Sequence, residues 1–398
     1  MKQTRLPCFL LLLAGGLLSG ISLPGCRQDS LVLLSEGLDS IGASVVKDKR
    51  EGIFNINLYR AGEKIILSGE TDSRDARNSV LGYLEGKGVR FIDSLMLLPD
   101  TAALGTQWGL VNVSVCNMRL VPSYDAELIS QSLMGTPVRL LKRDHGWFLV
   151  QTPDRYIGWV DSDAIAVLTS EEYRDWKSSE RIFFTGKTGD IYGDPEKKTT
   201  VSDIVAGCIL KVSGISGRDY RVILPDGRSG FIPASGAMIL DDLDPVRLLT
   251  PETLISRAES FNGIPYLWGG TSVKGFDCSG FVKTVYYLSG IILARDASLQ
   301  FRHGTETDTV NFPASLKPGD LLFFGSVREG RPRATHVAMY TGNTEYIHAS
   351  GMVRTNSLDR SRSNFSGYRR DTFIGAKRII GAGYGEGIIP VAGHPWYR

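Results

Sequence analysis

A cysteine in the last third of the chain has the local sequence of a catalytic nucleophile. Cys278 follows Asp277 where the glycine-rich segment YLWGGTSVKGF gives way to the apolar run CSGFVKTVYYL. Aspartate is a good N-cap residue, so we expect Cys278 in the first turn of a helix, where free N–H groups and the helix dipole favour a thiolate and stabilise an oxyanion. Beside a histidine, such thiols titrate between about pH 3.5 and 7.5, and the sequence therefore predicts a nucleophile with a low pKa.

Two of the five histidines lie in strand-like runs, His336 in HVAMY and His348 in EYIHAS. Their spacing of 12 is even, so a hairpin with a two-residue loop would place the rings on opposite faces. We predict an odd-length connection, with His336 as general base and acid and His348 orienting its ring. A metal site is the alternative, but no Cys or His pair has close ligand spacing, so we expect no metal and no cofactor.

The other cysteines leave Cys278 without an obvious partner. Cys8 belongs to an N-terminal targeting segment and Cys26 ends it, so the exported fold would keep three cysteines, an odd number. Cys116 and Cys208 sit in strand-like apolar runs and are expected to be small buried core residues. At least one thiol therefore remains free in an oxidising compartment.

Residues 1–26 are expected to be a targeting segment. Lys2 and Arg5 precede an apolar stretch from Phe9 to Ile21, which is too short to span a bilayer of about 30 Å but suits a secretory signal. The segment ends in LPGC, which resembles a bacterial lipoprotein box with Cys26 as the lipidated residue. The resemblance implies an extracytoplasmic, membrane-anchored lipoprotein of the periplasm or cell envelope.

Length and charge narrow the class of protein further. With 398 residues the chain should form two to four domains. Its 45 basic and 43 acidic residues nearly balance, and no basic stripe is visible. We therefore expect no binding to nucleic acid. We also expect a monomer.

The middle of the chain contains an internal repeat. The segment PDRYIGWVDSDAI at 153–165 aligns with PDGRSGFIPASGA at 225–237. Each copy has short strand-like runs separated by Gly and Pro-Asp turns, which is typical of a small β-barrel. The copies predict two SH3-like domains at 110–168 and 180–242.

Helix and strand signals flank this repeat. Residues 30–105 show strand, helix and strand patterns and are expected to form a small α/β domain. Residues 245–380 begin with a helix capped by Thr250 and end in apolar strands, which favours an α+β domain, while residues 381–398 form a tail without periodicity.

Several motifs in 245–380 resemble a known family. YLWGGTSVKGFDCSGFV, RDASLQ, LKPGDLLFFG, THVAMYTG and YIHASG are similar in order and spacing to the NlpC/p60 cysteine peptidases. The resemblance implies a papain-like domain in which Cys278, His336 and His348 are catalytic. With two SH3-like modules upstream, it extends to the γ-D-glutamyl-L-diamino acid endopeptidases of the dipeptidyl-peptidase VI type, which process murein stem peptides.

The same resemblance implies how a free N-terminal L-alanine would be bound. Its ammonium would be bound by Ser279 and by Asp296 of the RDAS motif. The first SH3-like module would contribute Glu127 and Tyr156. At the place of Tyr156 the second copy has a cation, Arg228, so only the first copy suits an ammonium site. The same resemblance makes Trp268 a wall of the pocket.

The sequence thus predicts a cysteine peptidase of murein peptides that requires a free amino terminus. Other functions remain open: a broader wall endopeptidase whose SH3-like modules bind peptidoglycan, a non-catalytic wall-binding lipoprotein, or an acyltransferase on the same scaffold.

Overall fold

A computed structural model describes residues 24–309 and 311–398, with side chains from residue 31 onward. The expected signal at residues 1–23 lies outside the described part. The N-terminal elements are α1 Pro24–Val45, β1 Phe54–Ala61, β2 Lys64–Thr71, α2 Arg74–Gly86 and β3 Phe91–Leu97. β2 pairs antiparallel with β1 and parallel with β3. Helix α1 was not predicted; its Leu38 packs with Leu67 of β2 and Leu84 of α2, so Cys26 falls within a helix of this domain.

A short helix and seven antiparallel strands follow. They are α3 Thr101–Leu104, β4 Trp108–Val111, β5 Val115–Arg119, β6 Leu128–Leu133, β7 Pro137–Asp144, β8 Trp147–Gln151, β9 Ile157–Asp161 and β10 Ile165–Leu168. The sheet order is β10-β4-β7-β8-β9-β5-β6. Alternating residues such as Val138, Leu140 and Val150 fill its interior.

A second set of seven strands repeats this arrangement after helix α4 Ser170–Ser178, which a Thr169–Glu172 capping box begins. The strands are β11 Arg181–Phe184, β12 Thr188–Tyr192, β13 Thr200–Val205, β14 Ile209–Ser216, β15 Asp219–Ile223, β16 Ser229–Pro233 and β17 Ala237–Ile239. Read from β17, the sheet order is β17-β11-β14-β15-β16-β12-β13, the same as in the first set. The duplication predicted from the sequence repeat is thus visible in the topology.

The C-terminal part combines helices with a six-stranded antiparallel sheet, so the predicted α+β class is confirmed. The elements are α5 Pro245–Leu248, α6 Pro251–Ser260, β18 Thr271–Ser272, β19 Gly275–Phe276, α7 Cys278–Tyr287, β20 Ile291–Leu293, α8 Ala297–Gln300, β21 Thr305–Glu306, β22 Leu321–Arg328, β23 Arg331–Gly342, β24 Glu345–Ser350, β25 Met352–Ser357, α9 Gly367–Asp371, β26 Phe373–Arg378 and β27 Ile388–Pro390. The sheet order is β21-β26-β22-β23-β24-β25. Helix α7 packs on β23 and β24, with Phe281 and Val285 fully buried.

The tail also has structure. Strand β27 pairs antiparallel with β20 of the C-terminal domain. The His394 ring contacts the Pro153 carbonyl in the first barrel at 3.0 Å, and the Tyr397 carbonyl accepts a hydrogen bond from Arg181 in the second. The tail therefore ties three parts of the chain together. Within the described residues, no helix is long and apolar enough to cross a membrane.

Candidate active site

Cys278 is the first residue of helix α7. Asp277 caps the helix by accepting a hydrogen bond from the Gly280 N–H at 2.6 Å, as the sequence predicted. The helix starts so close to the preceding loop that a Cβ at Gly280 would lie 2.0 Å from the Gly270 carbonyl oxygen, which explains glycine there. Cys278 is only 7 % exposed, yet it lines a cavity of about 340 Å³. The thiol therefore reaches ligands only through that cavity.

The predicted low pKa of Cys278 is wrong for the free protein. Burial, followed by the negative charge of Asp277, raises the thiol pKa to about 11. The backbone N–H groups of Val337 and Ser279 and the charge of Arg295 oppose this rise without cancelling it. A helix start lowers a thiol pKa only if the thiolate stays hydrated or is matched by charge, and here desolvation dominates. Cys278 is accordingly a thiol that needs a base.

His336 and His348 lie on the same face of the sheet. The turn between their strands has two residues, Asn343 and Thr344, and a bulge at Thr341 adds the odd residue. The imidazole Nε2 of His336 is 2.8 Å from Nδ1 of His348. The predicted odd-length connection is confirmed, although the bulge supplies it rather than a three-residue loop.

A residue that the sequence did not predict fixes the tautomers of both rings. Asn356 on β25 donates its amide to the Asn364 carbonyl at 2.8 Å, so its Oδ1 faces His348 Nε2 at 2.9 Å. His348 must then carry its proton on Nε2 and accept at Nδ1 the Nε2–H of His336. This leaves Nδ1 of His336 as the ring nitrogen with a free lone pair.

Both imidazoles are neutral near pH 7. Burial lowers the pKa of His348 to about 4, and burial together with the positive charge of Arg369 holds the pKa of His336 well below its usual value. The backbone of Val337, one residue after His336, opposes the rise in the pKa of Cys278. Helix α7, which begins with Cys278, contacts β23, the strand that carries His336.

The expected substrate-binding residues share the cavity with Cys278. They are Glu127, Tyr156, Trp268, Ser279 and Asp296. The Tyr156 hydroxyl donates to the Asp296 carboxylate at 3.0 Å, and the Trp268 indole N–H donates to Glu127 at 2.8 Å. Asp296 occupies the N-cap position of α8, but its side chain makes no capping bond. The first barrel and the C-terminal domain therefore join around one cavity.

Two arginines were missed by sequence reasoning: Arg50 lines this cavity, and Arg295 lies behind the cavity residues Asp277 and Ser279. Arg295 is fully buried and pairs with Asp277 at 2.5 Å, while Nη1 also donates to the Ser279 hydroxyl at 3.1 Å. Arg50, from the N-terminal domain, pairs with Asp296 at 2.6 Å. The signal for Arg295 was a cation directly after the apolar run GIILA, whereas nothing near Arg50 marked it. Among the residues described, no group of His, Cys, Asp or Glu side chains is placed to hold a metal ion.

Comparison with known proteins matches two parts of the chain to known domains. Residues 263–373 match the NlpC/P60 family, and residues 118–165 match the bacterial dipeptidyl-peptidase Sh3 domain. A γ-D-glutamyl-L-lysine dipeptidyl-peptidase of Bacillus cereus is 29% identical over 262 residues, covering 64% of this chain and 76% of that protein. Dipeptidyl-peptidase 6 of Lysinibacillus sphaericus is 28% identical over 273 residues, covering 66% of this chain and 94% of that protein.

A crystal structure of an NlpC/P60 family protein from Bacillus cereus is also similar. It has 25% sequence identity and a TM-score of 0.58, and the alignment covers 68% of this chain and 99% of that one. The matched regions contain the motifs from which the resemblance was inferred.

Proposed function

This chain carries an NlpC/P60 cysteine peptidase domain and a bacterial dipeptidyl-peptidase SH3 domain. We propose that it hydrolyses the γ-D-glutamyl-L-diamino acid bond of murein stem peptides that have a free N-terminal L-alanine. The names of the two relatives support this bond. The observation that carries the proposal is the contact of Tyr156 with Asp296, because it places an acceptor for an ammonium group in the same cavity as Cys278.

The proton relay gives each step of hydrolysis a defined carrier. The Cys278 thiol transfers its proton to Nδ1 of His336 while the sulfur attacks the γ-carbonyl of D-Glu. The C–N bond then breaks, the diamino acid amine leaves with that proton, and L-Ala-D-Glu stays as a thioester. Water, deprotonated by His336, cleaves the thioester and returns the proton to the sulfur. His348 and Asn356 hold the base in the reactive tautomer throughout.

The amine requirement follows from the acceptors at the end of the cavity. Asp296, Glu127 and the hydroxyl groups of Tyr156 and Ser279 can match one ammonium, whereas an acylated amine has no positive charge for the two carboxylates to bind. We expect N-acetylation of the alanine to lower kcat/KM at least 100-fold. A peptide still joined to the wall through that amine should be excluded for the same reason.

Mass spectrometry of L-Ala-γ-D-Glu-L-diamino acid tripeptides tests the proposal. The wild type should release L-Ala-D-Glu from the free tripeptide, cleave the N-acetylated one hardly at all, and Cys278→Ala should cleave neither. Equal cleavage of intact sacculi would instead identify a broader wall endopeptidase, and turnover by Cys278→Ala would exclude the thiol mechanism.

We also propose that lipid on Cys26 anchors the chain at the membrane of the cell envelope. The proposal rests on the apolar stretch from Phe9 to Ile21 and on the LPGC sequence that ends at Cys26. Metabolic labelling with a radioactive fatty acid should mark the wild type and not Cys26→Ala; equal labelling of both would contradict it.

A further inference from the structure

The N-terminal domain contributes a cation to the cavity. Arg50 lies in the turn between α1 and β1 and lines the cavity with Cys278. Its Nη1 donates to Asp296 Oδ2 at 2.6 Å and to the Ser298 hydroxyl at 3.0 Å, while Nε and Nη2 bind Asp48 at 2.8 and 2.7 Å. A domain outside both matched families therefore reaches the proposed amine site.

The turn that carries this arginine is fastened to the first barrel. The Arg50 carbonyl accepts a hydrogen bond from the Ile157 N–H at 2.8 Å, and the Glu51 carbonyl accepts one from the Gln151 amide at 3.1 Å. Ile157 directly follows Tyr156, whose hydroxyl shares the same Asp296 oxygen with Arg50. The guanidinium is thus held in place by contacts on both sides.

Arg50 keeps a donor available for a ligand. A guanidinium has five N–H groups, and the bonds to Asp48, Asp296 and Ser298 use four of them. The fifth, on Nη2, has no acceptor among the residues that the structure describes. The side chain is 34% exposed, so a ligand in the cavity can reach it.

The substrate of the proposed function carries a charge that needs this cation. A γ-linkage leaves the α-carboxylate of D-Glu free, and one peptide unit, about 4–6 Å, separates it from the alanine ammonium. The cavity has the complementary charges side by side: the Asp296 carboxylate for the ammonium and the Arg50 guanidinium for the α-carboxylate. Resting on the proposed function, we propose that Arg50 binds the α-carboxylate of D-Glu and thereby selects γ-linked peptides in which it is free.

Two tripeptides that differ in one group test this directly: L-Ala-γ-D-Glu-L-Lys and the same peptide with an α-carboxamide on D-Glu. A charge-assisted bond should make kcat/KM for the carboxylate about ten- to hundredfold higher with the full-length wild type. In Arg50→Gln this ratio should fall below about threefold. The matched control is Arg302→Ala, because Arg302 also binds Asp48 but does not line the cavity, and it should keep the wild-type ratio.

The ratio of the two kcat/KM values is measured within one variant, so a loss of folded protein lowers both values equally and leaves the ratio unchanged. It therefore distinguishes a failure of the inference from a failure to fold. A ratio unchanged in Arg50→Gln would overturn the inference. Higher kcat/KM for both peptides in that variant would also overturn it, since the guanidinium would then compete with the substrate amine. A wild type that cleaves neither peptide would refute the proposed function instead.

Discussion

At the residue scale, proton transfer from Cys278 to His336 is unfavourable in the free protein. The thiol pKa is about 11, and the imidazole pKa lies well below 6.5. Burial causes both shifts, because it disfavours the thiolate and the imidazolium alike. Proton transfer and sulfur attack should therefore occur together when the substrate carbonyl is in place, and the resting site should not hold a thiolate–imidazolium pair.

Replacing Asn356 tests the relay. In Asn356→Ala, His348 loses the acceptor that fixes its Nε2 proton, so the pair samples the wrong tautomer. We expect kcat to fall about tenfold or more, the worth of one hydrogen bond, with KM nearly unchanged. Steady-state kinetics on the free tripeptide measures kcat and KM separately. A rise in KM alone would show a role in substrate binding.

The pH dependence of kcat/KM in a second variant at position 356 also tests the relay. His336 acts as a base only while neutral, so its lowered pKa puts the acid limb of wild-type kcat/KM below pH 6.5. In Asn356→Asp a carboxylate faces His348 and raises its pKa, so the protonated pair persists to higher pH. The acid limb of kcat/KM should therefore move to higher pH in this variant. A limb that stays in place would mean that His348 does not share the relay.

The proposed catalytic residues were predictable because their types are chemically specific, whereas the residues that support them were not. Cys278 and the two histidines stand out by type and by position in their elements. Asn356 lies in an ordinary polar strand sequence, VRTNS, and becomes part of the site only through pairing of β25 with β24. Arg50 joins through a contact 246 residues away in the chain.

At the element scale, the start of helix α7 depends on a buried ion pair. Asp277 caps the helix, accepts the Gly269 N–H at 3.1 Å and pairs with the fully buried Arg295. The Arg295 Nε also donates to the Ser130 hydroxyl of the first barrel at 3.0 Å. The helix, the loop before it and the neighbouring barrel thus share one charge cluster.

Removing one charge of this pair should be costly. Asp277→Asn keeps an N-cap acceptor but leaves Arg295 buried without a carboxylate, which should lower the free energy of unfolding by about 3–5 kcal/mol. Adding Arg295→Met should recover part of the loss, because no buried charge then remains. Denaturant unfolding of the single and double variants gives both values; a single variant as stable as the wild type would show that the pair is not needed.

Elements with a strong local pattern were predictable, and those set by tertiary contacts were not. The caps at Thr250 and Asp277 and the two barrels follow from short-range sequence. The sequence showed only that the connection between the strands of His336 and His348 needs an odd number of residues; it did not show that a bulge at Thr341 supplies the odd residue. Strand β27 lies in a glycine-rich tail without periodicity and forms because β20 offers it an edge.

At the scale of the whole molecule, the first barrel and the C-terminal domain approach each other closely beside the cavity. The backbone N–H of Thr271 donates to the Gln131 side chain at 3.0 Å, and the indole of Trp268 reaches Glu127 in the barrel. Gly269, between them, has a φ of +77°, and a Cβ there would lie 2.3 Å from the Leu128 carbonyl oxygen. The barrel therefore forms part of the wall of the cavity that contains Cys278.

Gly269→Ala should separate the barrel from the cavity while Cys278 itself is left unchanged, because a rigid backbone carbonyl cannot yield to the new methyl group. Gly263→Ala is the matched control: its φ is +84°, but a Cβ there meets nothing within 4 Å. We expect Gly269→Ala to lower kcat/KM for the free tripeptide at least tenfold more than Gly263→Ala does. Equal activity of the two variants would mean that the amine site does not depend on the closeness of the two domains.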